Sequence, residues 1–137
     1  MRVAGSVKPC PRSGDAGGLN NDTGSALHFL PALRNADRHG RLSVSWFDRR
    51  LSPNSALTDV FAAVGVDPRL TTTPASNVRV TTASSDWTSV SSDIIPNFGD
   101  YTDNYVAPSA TGATLFIAWS DGRLNDPQPF MASASIN

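Results

Sequence analysis

The fold is decided by one stretch, Leu42-Ser-Val-Ser-Trp46-Phe-Asp48-Arg49-Arg50-Leu51, which recurs 73 residues later without a gap as Leu115-Phe-Ile-Ala-Trp119-Ser-Asp121-Gly122-Arg123-Leu124. The apolar residues that match between the two copies stand at every second position, which is the side-chain period of a β-strand with one buried face. Each copy then runs through Trp-x-Asp-x-Arg-Leu into a turn. A long internal period of strand-and-turn units predicts a repeat architecture.

The composition also favours strands joined by turns. All twelve acidic residues are Asp, ten of the eleven basic residues are Arg, and there are ten Gly and ten Pro. Asp, Gly and Pro favour turns, whereas Glu and Lys are common on helix surfaces. The net charge of −1 gives no indication of a nucleic-acid partner or an anionic membrane surface, and no apolar run is long enough to span a bilayer.

The pattern along the chain predicts an all-β fold of antiparallel strands. The irregular residues 1–25 form a leader, residues 26–93 a first four-stranded unit and residues 94–137 a second, partial unit. The predicted strands cover residues 26–33, 41–47, 58–64, 77–82, 101–107, 114–119 and 129–135. Tandem four-stranded antiparallel units are the blades of β-propellers, which need about four to eight blades to close. We therefore predict about two blades of a larger, incomplete propeller.

Several motifs together resemble the C-terminal blades of sialidase-like proteins, which are six-bladed propellers with BNR (Asp-box) repeats, often secreted by bacteria. Besides the two Trp-x-Asp-x-Arg segments, these motifs are Phe29-Leu-Pro31-Ala-Leu33, Thr58-Asp59-Val-Phe61 and Asn97-Phe-Gly99-Asp100-Tyr101. The resemblance covers roughly residues 26–135. One departure is that Ser-x-Asp-x-Gly-x-x-Trp, the Asp box of the family, is not intact; Ser84-Ser-Asp86-Trp87 is a loose echo of it.

The resemblance implies a glycan-directed parent protein outside the cytoplasm, extracellular or periplasmic, although this chain shows no signal peptide. In the family, an Arg cluster holds the sialate carboxylate, a Tyr beside a Glu is the nucleophile and an Asp is the acid/base. This chain contains no Glu, so the complete catalytic centre is absent, no catalytic residue can be assigned and the isolated chain is not expected to hydrolyse sialosides. The alternative is a non-catalytic propeller scaffold or protein-binding module.

The Trp-x-Asp-x-Arg segments have two interpretations. Asp48, Arg49, Arg50, Asp121 and Arg123 could line a ligand face, where guanidinium groups grip the carboxylate of an acidic sugar. Alternatively, each Trp packs between blades, each Asp accepts hydrogen bonds from the turn and each Arg holds a loop. The structural interpretation is favoured, because a feature that recurs in every blade is more easily explained by the blade than by one active site.

A second candidate site occurs once, in residues 97–105. Asp100, Asp103 and Asn104 offer the hard oxygen ligands that suit Ca²⁺, and Tyr101 is a candidate ligand-binding residue beside them. The alternative, which we favour, is a turn with Asx hydrogen bonds that leads into a strand. No His/Cys spacing predicts a metal site, and no other cofactor is predicted.

Three further features carry weaker expectations. The aromatic residues Trp87, Phe98, Tyr101 and Tyr105 could stack on sugars, or they fill the joint between blades, which is favoured. His28, within an apolar strand, is expected to be a packed or capping residue. Cys10 is the single cysteine and is most simply an incidental thiol. The expected partners are glycans or acidic sugars, together with the remaining blades of the protein or further copies that cover open sheet edges.

Overall fold

The structure, a computed structural model, describes residues 19–37, 40–67, 76–91 and 102–136. In these ranges the chain forms strands and no helix, so the predicted all-β class is confirmed and no membrane-spanning helix is found there. The strands are β1 (His28–Asn35), β2 (Leu42–Asp48), β3 (Leu57–Val66), β4 (Asn77–Arg79), β5 (Ser85–Asp86), β6 (Asp103–Ser109), β7 (Gly112–Asp121) and β8 (Gln128–Ile136). The expectations for Cys10, Phe98, Asp100 and Tyr101 lie outside the described residues.

The strands form two antiparallel sheets. Sheet 1 has the order β1-β2-β3-β4, with β5 pairing to the start of β3. Sheet 2 has the order β6-β7-β8. Each of the seven predicted strands overlaps one of these elements. The central strands β2 and β7 are the two copies of the repeated stretch, so the repeat corresponds to one sheet per copy.

Most strand boundaries differ from the prediction by a few residues, and two of these differences have a local cause. The strand predicted over residues 77–82 ends at Arg79, because Thr81 turns its hydroxyl towards β3, where it accepts a hydrogen bond from the Val60 N–H at 3.3 Å. The Thr81 hydroxyl thus takes the place of a backbone acceptor for the Val60 N–H, and the backbone pairing of β4 with β3 ends before Thr81. The strand predicted over residues 114–119 extends further, because β7 continues through Asp121, which pairs with Gln128.

Strand β1 lies at the edge of sheet 1, a position that tolerates Pro31, which has no backbone N–H to donate. Its pairing with β2 shifts register between Phe29 and Ala32. Leu30, in this bulge, has a φ of 50°, a left-handed conformation that is uncommon for a residue with a side chain. The bulge lifts Leu30 and Pro31 out of the ladder.

The main core lies between the two sheets. Phe47 and Val60 from sheet 1 pack with Leu115, Ile117 and Trp119 from sheet 2. Trp87 closes the same core, with its ring 6.4 Å from that of Phe47 in a T-shaped arrangement. Trp87 therefore fills the joint between the sheets, as the favoured interpretation predicted, whereas Tyr105 is 65% exposed.

A smaller apolar cluster lies on the opposite face of sheet 1 and contains Val44, Trp46, Phe61 and Ala63. Trp46 and Trp119 occupy matching positions of the repeat and are both 5% exposed. Trp119 faces sheet 1, whereas Trp46 faces away from sheet 2. The two sheets are therefore stacked in the same sense, each with its Trp face turned towards the same side.

Asn104 ties the sheets together by side-chain hydrogen bonds. Its Nδ2 donates to the backbone oxygen of Ala32 on β1 at 2.9 Å, and its Oδ1 accepts from the Ser45 hydroxyl on β2 at 2.7 Å. Asn104 is 2% exposed, so both bonds are shielded from water. A buried amide that is bonded on both sides fixes the position of β6 against β1 and β2.

We expect Asn104→Ala to lower the free energy of unfolding by about 1–3 kcal/mol, because the Ser45 hydroxyl and the Ala32 carbonyl lose buried partners. Urea unfolding followed by tryptophan fluorescence measures the change. The matched control is Tyr105→Ala on the same strand, whose side chain is exposed and whose loss should change stability by less than about 0.5 kcal/mol. Equal losses in the two variants would contradict the bridging role of Asn104.

Candidate functional site

The first Trp–Asp–Arg cluster (Trp46, Asp48, Arg50 and Phe61) lies where β2 ends. Asp48 Oδ2 accepts hydrogen bonds from Trp46 Nε1 at 2.7 Å, from Arg50 Nε at 2.8 Å and from Arg50 Nη2 at 2.6 Å. Asp48 Oδ1 accepts the backbone N–H of Arg50 at 2.7 Å. The Arg50 guanidinium lies over the Phe61 ring, 4.2 Å from its centroid. The carboxylate thus holds the indole, the guanidinium and the turn at once.

The second cluster (Trp119, Asp121, Arg123 and Phe130) repeats this geometry at the end of β7. Asp121 Oδ2 accepts from Trp119 Nε1 at 2.8 Å and from Arg123 Nη2 at 2.7 Å. Asp121 Oδ1 accepts from Arg123 Nε at 2.8 Å and from its backbone N–H at 3.0 Å. The Arg123 guanidinium lies 4.5 Å from the centroid of the Phe130 ring. The two clusters pair the same groups, and they differ only in that the arginine Nε donates to Oδ2 of Asp48 in the first and to Oδ1 of Asp121 in the second.

The spacing of the motif explains this geometry. Residues two apart on a strand share a face, so the indole N–H of the Trp can reach the carboxylate of the Asp. The Asp then accepts the backbone N–H two residues further on, as in an Asx turn, and the chain leaves the strand. The Phe comes from the next strand, since Trp46 pairs with Phe61 and Trp119 pairs with Phe130.

Both carboxylates are charged groups without exposed surface. Burial by itself raises their pKa, but the hydrogen bonds from the guanidinium, the backbone N–H and the indole, together with the positive charge of the Arg, outweigh it. The pKa of Asp48 and the pKa of Asp121 therefore lie below the ordinary value of 3.8. The carboxylate of Asp121 in turn raises the pKa of Arg123. Both pairs are ionic at neutral pH.

The two guanidinium groups are largely enclosed. The side chains of Arg50 and Arg123 are only 12% and 16% exposed. Arg123 donates a further hydrogen bond to Thr82 Oγ1 at 2.8 Å. Arg50 donates to the side-chain oxygens of Asn20, Asn21 and Asn77. These partners favour the structural interpretation of both arginines over ligand binding.

Arg49 differs from the other arginines of the motif. Its Nε donates to Thr58 Oγ1 at 3.2 Å, and its guanidinium lies 5.6 Å from the centroid of the Phe29 ring. It forms no ion pair with a carboxylate of the described ranges. The second copy has Gly122 at this position, where an added Cβ would lie 2.5 Å from Val90 Cγ2 and 3.1 Å from the Trp87 ring. Arg49 is therefore the candidate ligand arginine that the repeat does not explain.

Asp59 is a buried site residue that the sequence analysis did not select. It is 2% exposed on β3, and its Oδ1 accepts from Arg79 Nη2 at 2.8 Å and from Thr81 Oγ1 at 2.7 Å. Its Oδ2 accepts from the Ser84 hydroxyl at 3.0 Å. The available signal was an acidic residue inside an otherwise apolar strand, which needs a buried partner.

The segment that follows β3 connects the two clusters. Asn77 accepts a hydrogen bond from Arg50 of the first cluster. Further along the segment, Ser85 Oγ donates to Asp121 of the second cluster at 3.1 Å and accepts the Gly122 N–H at 2.9 Å. The same segment thus contacts each cluster through its own hydrogen bonds. In both clusters the bonds fix a strand end and leave the carboxylate paired, so neither is free to act as an acid/base group.

Of the three suggested Ca²⁺ ligands, the structure describes Asp103 and Asn104, whose side chains lie in different surroundings on β6. Asp103 pairs with Arg34 at 2.5 Å on the surface, while the amide of Asn104 is buried between the sheets. Asp100 and Tyr101 lie outside the described residues. No group of three or more His, Cys, Asp or Glu side chains that could hold a metal ion occurs in the ranges the structure describes.

His28 has no histidine counterpart in the second copy, since residues 94–137 contain no His. Its Nε2 is 3.4 Å from Asp22 Oδ2, 3.4 Å from Asp48 Oδ2 and 3.2 Å from Asn20 Nδ2. It borders a cavity of about 280 Å³ beside the β1 bulge. The other residues that line the cavity are Leu19, Asn20, Phe29, Pro31, Val44 and Trp46. His28 is thus packed against the first cluster, as expected, and also faces a mainly apolar cavity.

The depressed pKa values predict acid sensitivity with a defined sign. A carboxyl whose folded-state pKa lies below its unfolded value contributes stability that is complete above the unfolded value and is lost as the pH falls through the folded value. We expect the unfolding free energy to decrease between about pH 5 and pH 1, and Asp48→Asn and Asp121→Asn each to flatten this decrease. Urea titrations across this range measure the slope. The control Asp126→Asn, at an exposed carboxylate, should retain the wild-type slope, and unchanged slopes in both cluster variants would contradict the assignment.

Neither a protein-family model, nor a curated protein, nor a solved structure matches the chain. The resemblance to sialidase-like propellers therefore stays a prediction from the sequence motifs, and the function is argued from the two clusters and the sheets that carry them.

Proposed function

We propose that this chain forms two stacked blades of a secreted sialidase-like β-propeller and that its own role is that of a non-catalytic scaffold. The observation that carries the scaffold role is the pairing of both cluster arginines. Arg50 and Arg123 are each bonded to a buried carboxylate and enclosed by an aromatic ring. A guanidinium held in this way contributes to the position of strand ends and has few N–H groups left for a ligand.

The propeller part of the proposal is supported by the way the sheets stack. A propeller repeats one sheet many times, with the same face of each sheet turned to its neighbour. Sheet 2 places its Trp119 face on sheet 1, and sheet 1 turns its Trp46 face away from sheet 2, so both Trp faces point in the same direction. This is the arrangement that successive blades require, and further blades of the same protein are the partners that it implies.

The non-catalytic part is supported by the composition and by the repeat. The sequence contains no Glu, so the Tyr–Glu pair of the family is incomplete. Asp48 and Asp121 are buried, ionised and paired with arginine, whereas a general acid needs a raised pKa and access to the substrate. Two identical clusters are better explained by blade architecture than by a single active centre.

Glycan binding without catalysis is the second candidate function, and the cavity beside β1 favours it. Its walls include the aromatic rings of Trp46 and Phe29, and polar groups of His28 and Asn20 lie at its border. Ligand sites commonly combine apolar walls with a few fixed polar groups. Arg49, which lies over Phe29 and has no carboxylate partner in the described ranges, supplies positive charge nearby for an acidic sugar.

The scaffold role predicts that the arginines matter for stability and not for turnover. We expect no hydrolysis of a fluorogenic sialoside by the purified chain, and a loss of about 3–5 kcal/mol in unfolding free energy for Arg50→Ala or Arg123→Ala, because each leaves a buried carboxylate unpaired. Arg123→Lys, which keeps the charge without the forked geometry, covers the case in which the alanine variants do not fold. Arg34→Ala is the control, since its pair with Asp103 is exposed and should contribute less than about 1 kcal/mol.

Two outcomes would contradict the proposal. Sialoside hydrolysis by the wild-type chain would exclude the non-catalytic role. Saturable sialic acid binding, measured by NMR titration, that disappears in a folded Arg123→Lys variant would assign the cluster to ligand binding. Binding that survives Arg123→Lys and disappears in Arg49→Ala would instead support the second candidate function, at the cavity beside β1.

A further inference from the structure

The ring nitrogen Nε2 of His28 faces three polar groups at the border of the cavity beside β1. Asn20 Nδ2 lies 3.2 Å away, and Asp22 Oδ2 and Asp48 Oδ2 each lie 3.4 Å away. The first group is a hydrogen-bond donor, and the two carboxylate oxygens are acceptors. A ring nitrogen donates when it carries a proton and accepts when it does not. Nε2 therefore cannot bond to Asn20 and to a carboxylate in the same protonation state.

The orientation of the Asn20 amide is fixed at its other end. Asn20 Oδ1 accepts hydrogen bonds from Arg50 Nη2 at 2.6 Å and from the backbone N–H of Asp22 at 2.9 Å. Only an oxygen can accept from both donors, so the NH₂ end of the amide faces His28. An unprotonated Nε2 is needed to accept this Asn20 N–H. A neutral His28 that makes this bond therefore carries its proton on Nδ1.

The two carboxylate oxygens near Nε2 differ in the donors that they already have. Asp48 Oδ2 accepts three hydrogen bonds, one from the Trp46 indole and two from Arg50. Asp22 Oδ2, in contrast, is buried and has no hydrogen-bond donor among the described residues. A buried acceptor without a donor is costly. A proton on His28 Nε2 supplies the donor that Asp22 Oδ2 lacks.

The charges around His28 come from several segments. The charged groups that face it or its immediate neighbours are Asp22 before β1, Asp48, Arg49 and Arg50 at the end of β2, Asp59 on β3 and Arg79 on β4. Arg50 and Arg79 are each paired with a carboxylate of sheet 1, and Arg49 lies over the Phe29 ring. Within the described ranges, His28 is thus the only cationic partner within reach of Asp22.

We propose that His28 is a pH-sensitive switch, in which protonation moves the hydrogen bond of Nε2 from Asn20 to Asp22. When His28 is neutral, Nε2 accepts the Asn20 N–H. When His28 takes up a proton, Nε2–H donates to Asp22 Oδ2, and the Asn20 N–H, which then faces another N–H, turns away from the ring. Histidine changes its charge between about pH 5 and pH 8, so the switch operates in this range.

The switch changes the polar border of the cavity. Asn20 and His28 are the polar residues among those that line it. In the protonated state the Asn20 N–H is released from the ring at this border, where a ligand carboxylate or hydroxyl can accept it. This consequence rests on glycan binding, the second candidate function, whereas the exchange of hydrogen bonds within the chain does not.

Nitrogen-15 NMR of the ligand-free chain tests the switch directly. At about pH 8 the ring signals of His28 should show a proton on Nδ1 alone, and at about pH 5.5 protons on both nitrogens. The side-chain NH₂ signals of Asn20 should change in the same transition. His28→Phe, which keeps a ring without nitrogen atoms, identifies the signals and should abolish the change at Asn20. A neutral ring with its proton on Nε2, or Asn20 signals that stay constant, would overturn the proposal.

Two variants separate the two partners of the switch. Asn20→Ala removes the partner of neutral His28 and should move the midpoint of its titration to higher pH. Asp22→Asn removes the charged partner of protonated His28 and should move the midpoint to lower pH, each shift being about half a pH unit or more. The control Asp126→Asn removes an exposed carboxylate elsewhere and should leave the midpoint unchanged.

Opposite shifts in the two variants distinguish an exchange of partners from a merely structural role of His28. Shifts in the same direction, or no shift in either variant, would overturn the proposal. All of these measurements use the chain without a ligand. A failure of the switch is therefore distinguishable from a failure of sialic acid binding, which is measured separately.

Discussion

The structure depends on a buried carboxylate at the end of each central strand. Asp48 and Asp121 have no exposed surface, and a buried charge costs several kcal/mol unless it is paired and hydrogen-bonded. The partners that satisfy each carboxylate come from the strand, the turn and the arginine two residues on. Because they must meet at one point, the carboxylate fixes where the strand ends, which way the chain turns and where the arginine lies.

The same bond determines how the sheets stack. The indole N–H of each Trp is held by the Asp of its own strand, so its ring stays on one face of the sheet. The Trp119 face of sheet 2 packs on sheet 1. The Trp46 face of sheet 1 is the one that points away from sheet 2. Asn104 then fixes sheet 2 against β1 and β2 with two buried hydrogen bonds. Strand alternation thus sets the face on which each Trp lies, and the bond to Asp holds the indole ring in place on that face.

The strands were predictable from the sequence, because alternation of apolar residues is a local signal and the repeat supplied it twice. The equivalence of Trp46 and Trp119 was predictable for the same reason. The bonds between distant segments were not, since Asn104 meets Ser45 only after the sheets have packed. The partners of Asp59 and the left-handed Leu30 likewise depend on tertiary structure, and a single sequence gives no pattern for them.

The differences between the two copies are where a specific function has to be sought. What the copies share is explained by the stability of a sheet and its turn. Arg49 is replaced by Gly122, whose missing side chain makes room for Trp87. The first cluster also has His28 and a cavity beside the bulge of β1. A bulge with a strained residue has an energetic cost, and such features persist where the surrounding structure holds them, often at binding sites. The cavity beside β1 is therefore the place where a ligand of this chain is best sought, and the first cluster fixes one of its walls, because Trp46 is held by Asp48.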